Sequence, residues 1–236
     1  MDNNSAADLS WEGCIIPVNK PPGITSFDVV RRIRRATGVK KVGHAGTLDP
    51  FAEGVLLVGI GRIATRRLGR FLMGDKEYLA QVVLGIVTDT YDPTGRIEER
   101  NEYTLPEKET ISSILHRMEG DMMQLPPPFS ALKVDGVRMY KRARKGVEVV
   151  REPRRVTLKE LELIRMNQDG FEMRVVCSHG TYIRSLAYDI GREIGCGAHL
   201  GRLIRTRVGE YKLDQAVDLD VFDNNTISEL EVDRWK

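Results

Sequence analysis

Cysteine is scarce in this chain of 236 residues: there are three, Cys14, Cys177 and Cys196. An odd number without metal spacing argues against a disulfide framework and against a zinc site, and reads as reduced intracellular thiols. The four histidines do not fall at ligand spacing either, so no metal is expected. No apolar run approaches the ~20 residues of a membrane span. Residues 1–12 are polar and acidic, with no signal-peptide hydrophobic core, and read as a flexible arm. A dinucleotide-binding glycine fingerprint and a Walker loop are both missing, so neither cofactor class is expected. Internal repeats and low-complexity tracts are absent as well.

What remains is an ordinary globular composition, 30% charged and 41% hydrophobic, in a chain long enough to bury a sizeable core. The net charge of +2 conceals a polarity. Residues 120–155 hold nine Lys/Arg and four Asp/Glu, while the rest of the chain is slightly acidic. A charge run can be a solvated face. Concentrated in one Pro/Gly-interrupted segment, it points instead to a polyanionic partner. Residues 214–236 form a short acidic tail with seven acids and two bases.

Periodicity sets out the elements. Ser26 is expected to cap a helix with Phe27, Val30 and Ile33 on one face and Gly38 at its end. Arg31, Arg32, Arg34 and Arg35 fall mostly on its other face, and Lys40 and Lys41 extend that basic patch. Residues 55–60 and 78–84 read as strands. Residues 107–119 read as a helix with Ile111, Ile114, Leu115 and Met118 as its stripe. Residues 156–166 and 171–177 read as a strand pair around a turn at 167–170. Residues 182–193 read as a helix with Ile183, Leu186, Ala187, Ile190 and Ile194 on one face and Gly195 as its stop. The irregular order of strands and helices favours an α+β fold over a doubly wound one.

The stretch with the most chemistry is Gly43-His44-Ala45-Gly46-Thr47-Leu48-Asp49-Pro50-Phe51-Ala52-Glu53-Gly54. It mounts one carboxylate, Asp49, in a tight loop, and Pro50 biases Asp49 away from a helix. Gly43, Gly46 and Gly54 supply turns or close backbone approach. Taken alone, Asp49 could simply cap the next helix. Glu53 could follow it by one turn, or pair with it as in a glycosidase.

His44-Ala45-Gly46-Thr47-Leu48-Asp49-Pro50 resembles the catalytic signature of TruB-type pseudouridine synthases. Five further segments match that family in order: Asn19-Lys20-Pro21-Pro22-Gly23-Ile24-Thr25-Ser26, Lys76-Glu77-Tyr78, Thr88-Asp89-Thr90-Tyr91-Asp92-Pro93-Thr94-Gly95, Pro127-Pro128-Phe129-Ser130-Ala131-Leu132-Lys133, and Gly180-Thr181-Tyr182-Ile183-Arg184-Ser185-Leu186. Gly61-Arg62-Ile63-Ala64-Thr65 departs from the pattern by one extra residue.

The resemblance implies a pseudouridine synthase fold, with a mixed, mainly antiparallel bent sheet flanked by helices and loops. It implies a catalytic domain over residues 13–213, with 120–155 as a thumb that clamps RNA. The family often carries a PUA domain after the catalytic one, and residues 214–236 leave no room for it. The implied reaction converts the T-loop uridine of tRNA, position 55, to pseudouridine, without cofactor or metal. Asp49 matches the catalytic residue, Arg184 its arginine partner, and Tyr78 the residue that stacks on the flipped base and can move a proton. His44 matches the residue that fills the gap left in the T loop. Lys20 is a motif lysine that either holds the loop or meets substrate, and Leu203 matches the pocket wall. Lys133, Arg142 and Arg205 are expected on RNA. Asp92 is expected to fix a turn with Gly95. The partner is the tRNA T arm, and the protein is expected to be a cytoplasmic monomer with no obligatory protein partner. Two other readings stay open: the guide-RNA-dependent branch of the family, and an RNA chaperone or binding module.

Overall fold

The computed structural model describes residues 13–130, 133–134, 137–138, 151–222 and 233–234. The expected arm at 1–12, residues 131–132, 135–136 and 139–150 of the thumb, and residues 223–232 and 235–236 of the tail lie outside the described residues. The chain begins with β1 (Cys14–Lys20), α1 (Ser26–Thr37), β2 (Val42–Ala45), β3 (Glu53–Ile60), α2 (Gly61–Leu72) and β4 (Lys76–Leu84). It continues through β5 (Ile86–Thr88), β6 (Ile97–Arg100), α3 (Lys108–Met118), β7 (Gly120–Gln124), β8 (Lys133–Val134) and β9 (Val137–Arg138). Then come β10 (Arg154–Asn167), β11 (Gly170–Cys177), α4 (Ile183–Ile194), β12 (Ala198–Val208) and β13 (Tyr211–Lys212). Two 3-10 turns, Leu213–Gln215 and Leu219–Phe222, flank β14 (Val217–Asp218), and β15 (Asp233–Arg234) closes the series. Helices and a mainly antiparallel sheet make this the expected α+β class. The residues divide into two compact units, Met1–Lys76 with Ile204–Lys236, and Glu77–Leu203.

In the first unit the strands follow the order β14–β1–β3–β12. β3 pairs antiparallel with β1 along its whole length, from Cys14 opposite Ile60 to Lys20 opposite Gly54. Its other edge pairs with β12 at Glu53 and Gly54 and with β2 from Leu57 to Ile60. β3 is apolar at almost every position because both of its faces are covered. Leu56, Val58 and Ile60 pack with Val29, Val30 and Ile33 of α1, whereas Val55 and Leu57 pack with Leu68 of α2 and Tyr211. Each such buried aliphatic side chain contributes about 1.5–3 kcal/mol. The start of the tail is docked here: β14 pairs parallel with β1, and Leu219 and Phe222 enter the core under α1.

The N-cap of α1 is Thr25 rather than the expected Ser26. Thr25 and Asp28 form a capping box, with Asp28 N donating to Thr25 Oγ1 and Thr25 N donating to Asp28 Oδ2. Ser26 is thereby freed for another task. Phe27, expected on the core face, is 55% exposed under the Arg34 guanidinium. At 100° per residue the buried stripe is Ser26, Val29, Val30 and Ile33, and Phe27 stands beside it. Ile63, near the extra residue, is exposed on the first turn of a continuous α2.

In the second unit the strands follow β12–β4–β11–β10–β7. β10 and β11 are the expected hairpin around 167–170, and β7 pairs antiparallel with β10. α3 lies on β10 and buries Ile111, Ile114 and Leu115, leaving Met118 half-buried. α4 buries Ile183, Leu186, Ala187 and Ile190 and ends at Gly195, which takes a left-handed conformation. The N-terminus of α4 has no side-chain cap of its own, and Gln124 serves it from β7. Gln124 accepts from the Tyr182 amide at 2.8 Å and donates to the Tyr182 carbonyl at 3.0 Å.

Candidate active site

The loop between β2 and β3 carries Asp49, and its backbone is pinned on both sides of that residue. The Ser26 hydroxyl donates to the Leu48 carbonyl at 3.1 Å and accepts from the Leu48 amide at 3.0 Å. The Pro50 carbonyl accepts from Gly23 N at 2.8 Å and from Lys20 Nζ at 3.2 Å. The Asp49 carbonyl accepts from Ala52 N at 3.1 Å, and the Asp49 side chain is left half-buried. A carboxylate mounted on fixed backbone keeps one direction, which a chemical role requires.

Two buried cations flank the point where the loop re-enters the sheet. Gly54 of β3 has Lys20 opposite it on β1 and Arg205 opposite it on β12. Lys20 is 0% and Arg205 1% exposed. Lys20 Nζ also donates to the carbonyls of Pro21 at 2.9 Å and Ile24 at 2.8 Å. Burial pulls its pKa down to about 8, opposed by the charges of Asp49 and Glu53 and assisted by Arg205. Arg205 donates from Nε to the Val55 carbonyl at 2.7 Å and from Nη2 to the Gly46 carbonyl at 3.0 Å. Gly54, at φ +103°, admits no side chain, since a Cβ would lie 2.3 Å from the Arg205 carbonyl oxygen. His44 sits on β2, half-buried, opposite Val58.

The second unit holds Tyr78, Arg184 and Leu203. Tyr78 is buried on the face of β4 that also carries Ala80, Val82 and Leu84. Leu203 is buried on β12. Arg184 lies in the first turn of α4 and is buried. Its Nη1 donates to the Thr90 carbonyl at 3.0 Å and to Asp92 Oδ2 at 3.1 Å, and its Nη2 to the Phe129 carbonyl at 3.0 Å. Asp92 does fix its turn. Oδ1 accepts from Thr90 Oγ1, Thr94 N and Thr94 Oγ1, and the Asp92 carbonyl accepts from Gly95 N.

Lys20, His44, Asp49 and Arg205 thus belong to the first unit, and Tyr78, Arg184 and Leu203 to the second. Arg205, expected on RNA, is instead enclosed with its guanidinium on backbone carbonyls. Lys20 is likewise enclosed and holds the loop. The signal for Arg205 was present in the strand alternation, which sets 203 and 205 inward together. The Asp92–Arg184 pair had no such signal, because it joins residues 92 positions apart. The side chain of Lys133 and all of Arg142 lie outside the described residues. Exposed cations on the first unit include Arg31, Arg35, Lys40 and Lys41 near α1, and Arg62, Arg66 and Arg70 on α2. Among the described residues no cluster of His, Cys, Asp and Glu could hold a metal, and no helix is long and apolar enough to cross a membrane.

Known proteins resemble this chain in fold and in sequence. A chain from a solved Cbf5-Nop10-Gar1 complex superposes with a TM-score of 0.72 at 31% identity, covering 92% of this chain and 55% of that one. The present chain therefore spans little more than half of that structure. The profile of the TruB family pseudouridylate synthase N-terminal domain matches residues 34–183, and that of the tRNA pseudouridylate synthase B C-terminal domain matches residues 184–233. Fold and sequence together define a pseudouridylate synthase. The chain belongs to the TruB family. The tRNA pseudouridine synthase B of Protochlamydia amoebophila (strain UWE25) is 45% identical over 217 residues, 92% of this chain and 81% of that protein. That of Desulfotalea psychrophila (strain LSv54 / DSM 12343) is 46% identical over 215 residues, 88% of this chain and 87% of that protein.

Proposed function

We propose that this chain, a tRNA pseudouridine synthase, isomerises the T-loop uridine at tRNA position 55, with Asp49 as the reacting carboxylate. The observation that carries the reading is the Asp49 loop, in which the residues on either side of the carboxylate are fixed by Ser26, Gly23 and Lys20. In the reaction the bond from uracil N1 to the ribose C1′ breaks, the base turns, and a bond from C5 to C1′ forms. C5 loses a proton and N1 gains one, so the product is an isomer and no oxidant or energy source is consumed.

The target base is stacked within a folded arm and must be extruded before a side chain can reach it. Asp49 then adds to the base or the sugar, or removes a sugar proton. An ionised carboxylate in a closed pocket needs a cation, and Arg184 fills that role, its planar fork being suited to a carboxylate. Tyr78 stacks on the flipped base, Leu203 walls the pocket, and His44 takes the place the base has left in the T loop. The thumb at 120–155, with Lys133 and Arg142, adds phosphate contacts. The exposed Arg31 and Arg35 of α1, Lys40 and Lys41 after it, and Arg62, Arg66 and Arg70 of α2 fit the same polyanion. Identities near 45% with proteins named tRNA pseudouridine synthase B favour tRNA as the substrate.

The test is incubation of the purified protein with unmodified tRNA alone, followed by site-resolved pseudouridine mapping, for wild type and for Asp49→Asn. Wild type should modify the T-loop uridine. The Asn variant, which keeps the shape and loses the negative oxygen, should be inactive with tRNA affinity within about tenfold. Modification at another site, or turnover by the Asn variant, overturns the corresponding part of the reading.

A further inference from the structure

The two glycines that bound the Asp49 loop both lie against Arg205, Gly46 against its side chain and Gly54 against its backbone. Gly46, where the chain leaves β2, has φ +73° and gives its carbonyl to Arg205 Nη2 at 3.0 Å. Gly54, at φ +103°, lies against the Arg205 backbone so closely that no Cβ fits, and the next residue, Val55, gives its carbonyl to Arg205 Nε at 2.7 Å. One guanidinium therefore ties together the entry and the exit of the loop. It is 1% exposed and cannot reach RNA in this structure. A buried guanidinium is costly unless its N–H groups are matched, and the contacts made here are to backbone, whose position they fix.

We propose that Arg205 is a positioning residue for Asp49, setting the closure of the 46–55 loop and hence the direction of the carboxylate. The proposal rests on the assignment of Asp49 as the reacting group. The geometry demands a planar fork. Nε and Nη2 diverge from one carbon toward two carbonyls nine residues apart in the chain. A lysine at 205 would keep the charge but place a methylene where Nε stands, so the Val55 carbonyl would lose its donor unless the loop moved. The loop would still be held at Leu48 by Ser26 and at Pro50 by Lys20, so the fold of the unit and the RNA-facing surface would persist while the loop ends drift. A displacement near 1 Å at a reacting group costs on the order of a hundredfold in rate.

The test compares wild type, Arg205→Lys and Arg205→Gln in single-turnover isomerisation at saturating tRNA, together with tRNA affinity and thermal unfolding. Both variants should lose roughly 30-fold or more in rate, with affinity within about threefold and a cooperative unfolding transition retained. Lys should not rescue Gln by more than a few-fold, since the geometry and not the charge is at issue. A rate within about twofold of wild type, or a rate loss matched by lost affinity, overturns the proposal. So does failure of both variants to fold, which would make Arg205 a stability element only. Wild type and Asp49→Asn run alongside. An inactive wild type or an active Asn variant refutes the assignment of Asp49 itself, whereas an active wild type with unaffected Arg205 variants refutes this proposal alone.

Discussion

Asp92 and Arg184 form an ion pair inside the second unit: Arg184 Nη1 stands 3.1 Å from Asp92 Oδ2, with each side chain 5% exposed. The same carboxylate holds its own turn through Thr90 and Thr94, so the turn and the first turn of α4 are locked to one another. In the proposed mechanism Arg184 supplies the cation for the reacting carboxylate, and Asp92 is the side chain that holds this guanidinium within its own unit.

Asp92→Ala removes one partner of a buried pair and strands the other. Such a break costs about 3–5 kcal/mol. At roughly 2–4 °C per kcal/mol for a chain of this size, the unfolding midpoint should fall by about 10 °C. The isomerisation rate, measured well below that midpoint, should fall at least tenfold as Arg184 loses its orientation. Normal activity with lowered stability would assign the pair to folding alone.

Lys20 provides a pH test in which rate and stability move in opposite directions. Its folded pKa is about 8, against 10.5 for an unperturbed lysine. Below pH 8 both states carry the charge, and the burial penalty is fully present. Between about 8 and 10.5 the unfolded state binds more protons than the native state, so the contribution of Lys20 to stability rises with pH. The loop fares differently. The ammonium has three N–H donors for three carbonyls, those of Pro21, Ile24 and Pro50. The neutral amine has two, and the longest bond, to Pro50 next to Asp49, is the one most readily released. The single-turnover rate should therefore decline above about pH 8, where wild type is gaining stability relative to Lys20→Met. The Met variant should be slow, with no such step. A wild-type rate flat from pH 7 to 9.5 would show that the charge on Lys20 does not hold the loop.

Much of this architecture was legible in the chain. β3 announced itself as an apolar run because both of its faces are covered, and the β10–β11 hairpin by two runs around the turn at 167–170. The Asp49 loop was legible because its chemistry is local: Gly permits the positive φ a tight loop needs, Pro fixes its own φ, and Asp favours turns. α2 escaped, since it begins on a glycine and presents Arg62, Arg66, Arg67 and Arg70 with Ala64 and Leu68 as its only buried side chains. Arg205 was expected on RNA, although the alternation of β12 sets it inward with Leu203. Its burial follows from two carbonyls that only the folded loop brings within reach of one fork. Side-chain pairings across 92 or 150 positions leave no mark on periodicity.

Tyr78 gives the sharpest test of chemistry. It is 6% exposed, on the buried face of β4. Phe preserves a ring on which a flipped uracil can stack, and Leu does not. Stacking of a base on an aromatic side chain contributes roughly 1–3 kcal/mol, or about 10–100-fold in rate if it acts only in the transition state. A stacking role alone therefore predicts a near-normal Phe variant and a Leu variant slower by that factor. The isomerisation also requires a proton to leave carbon, and the motifs offer few bases besides Asp49 and the Tyr78 hydroxyl. We expect Phe and Leu to be similarly inactive in single turnover at saturating tRNA, with Phe alone retaining wild-type affinity. A fully active Phe variant would remove the hydroxyl from the mechanism and leave Tyr78 as a platform for the base.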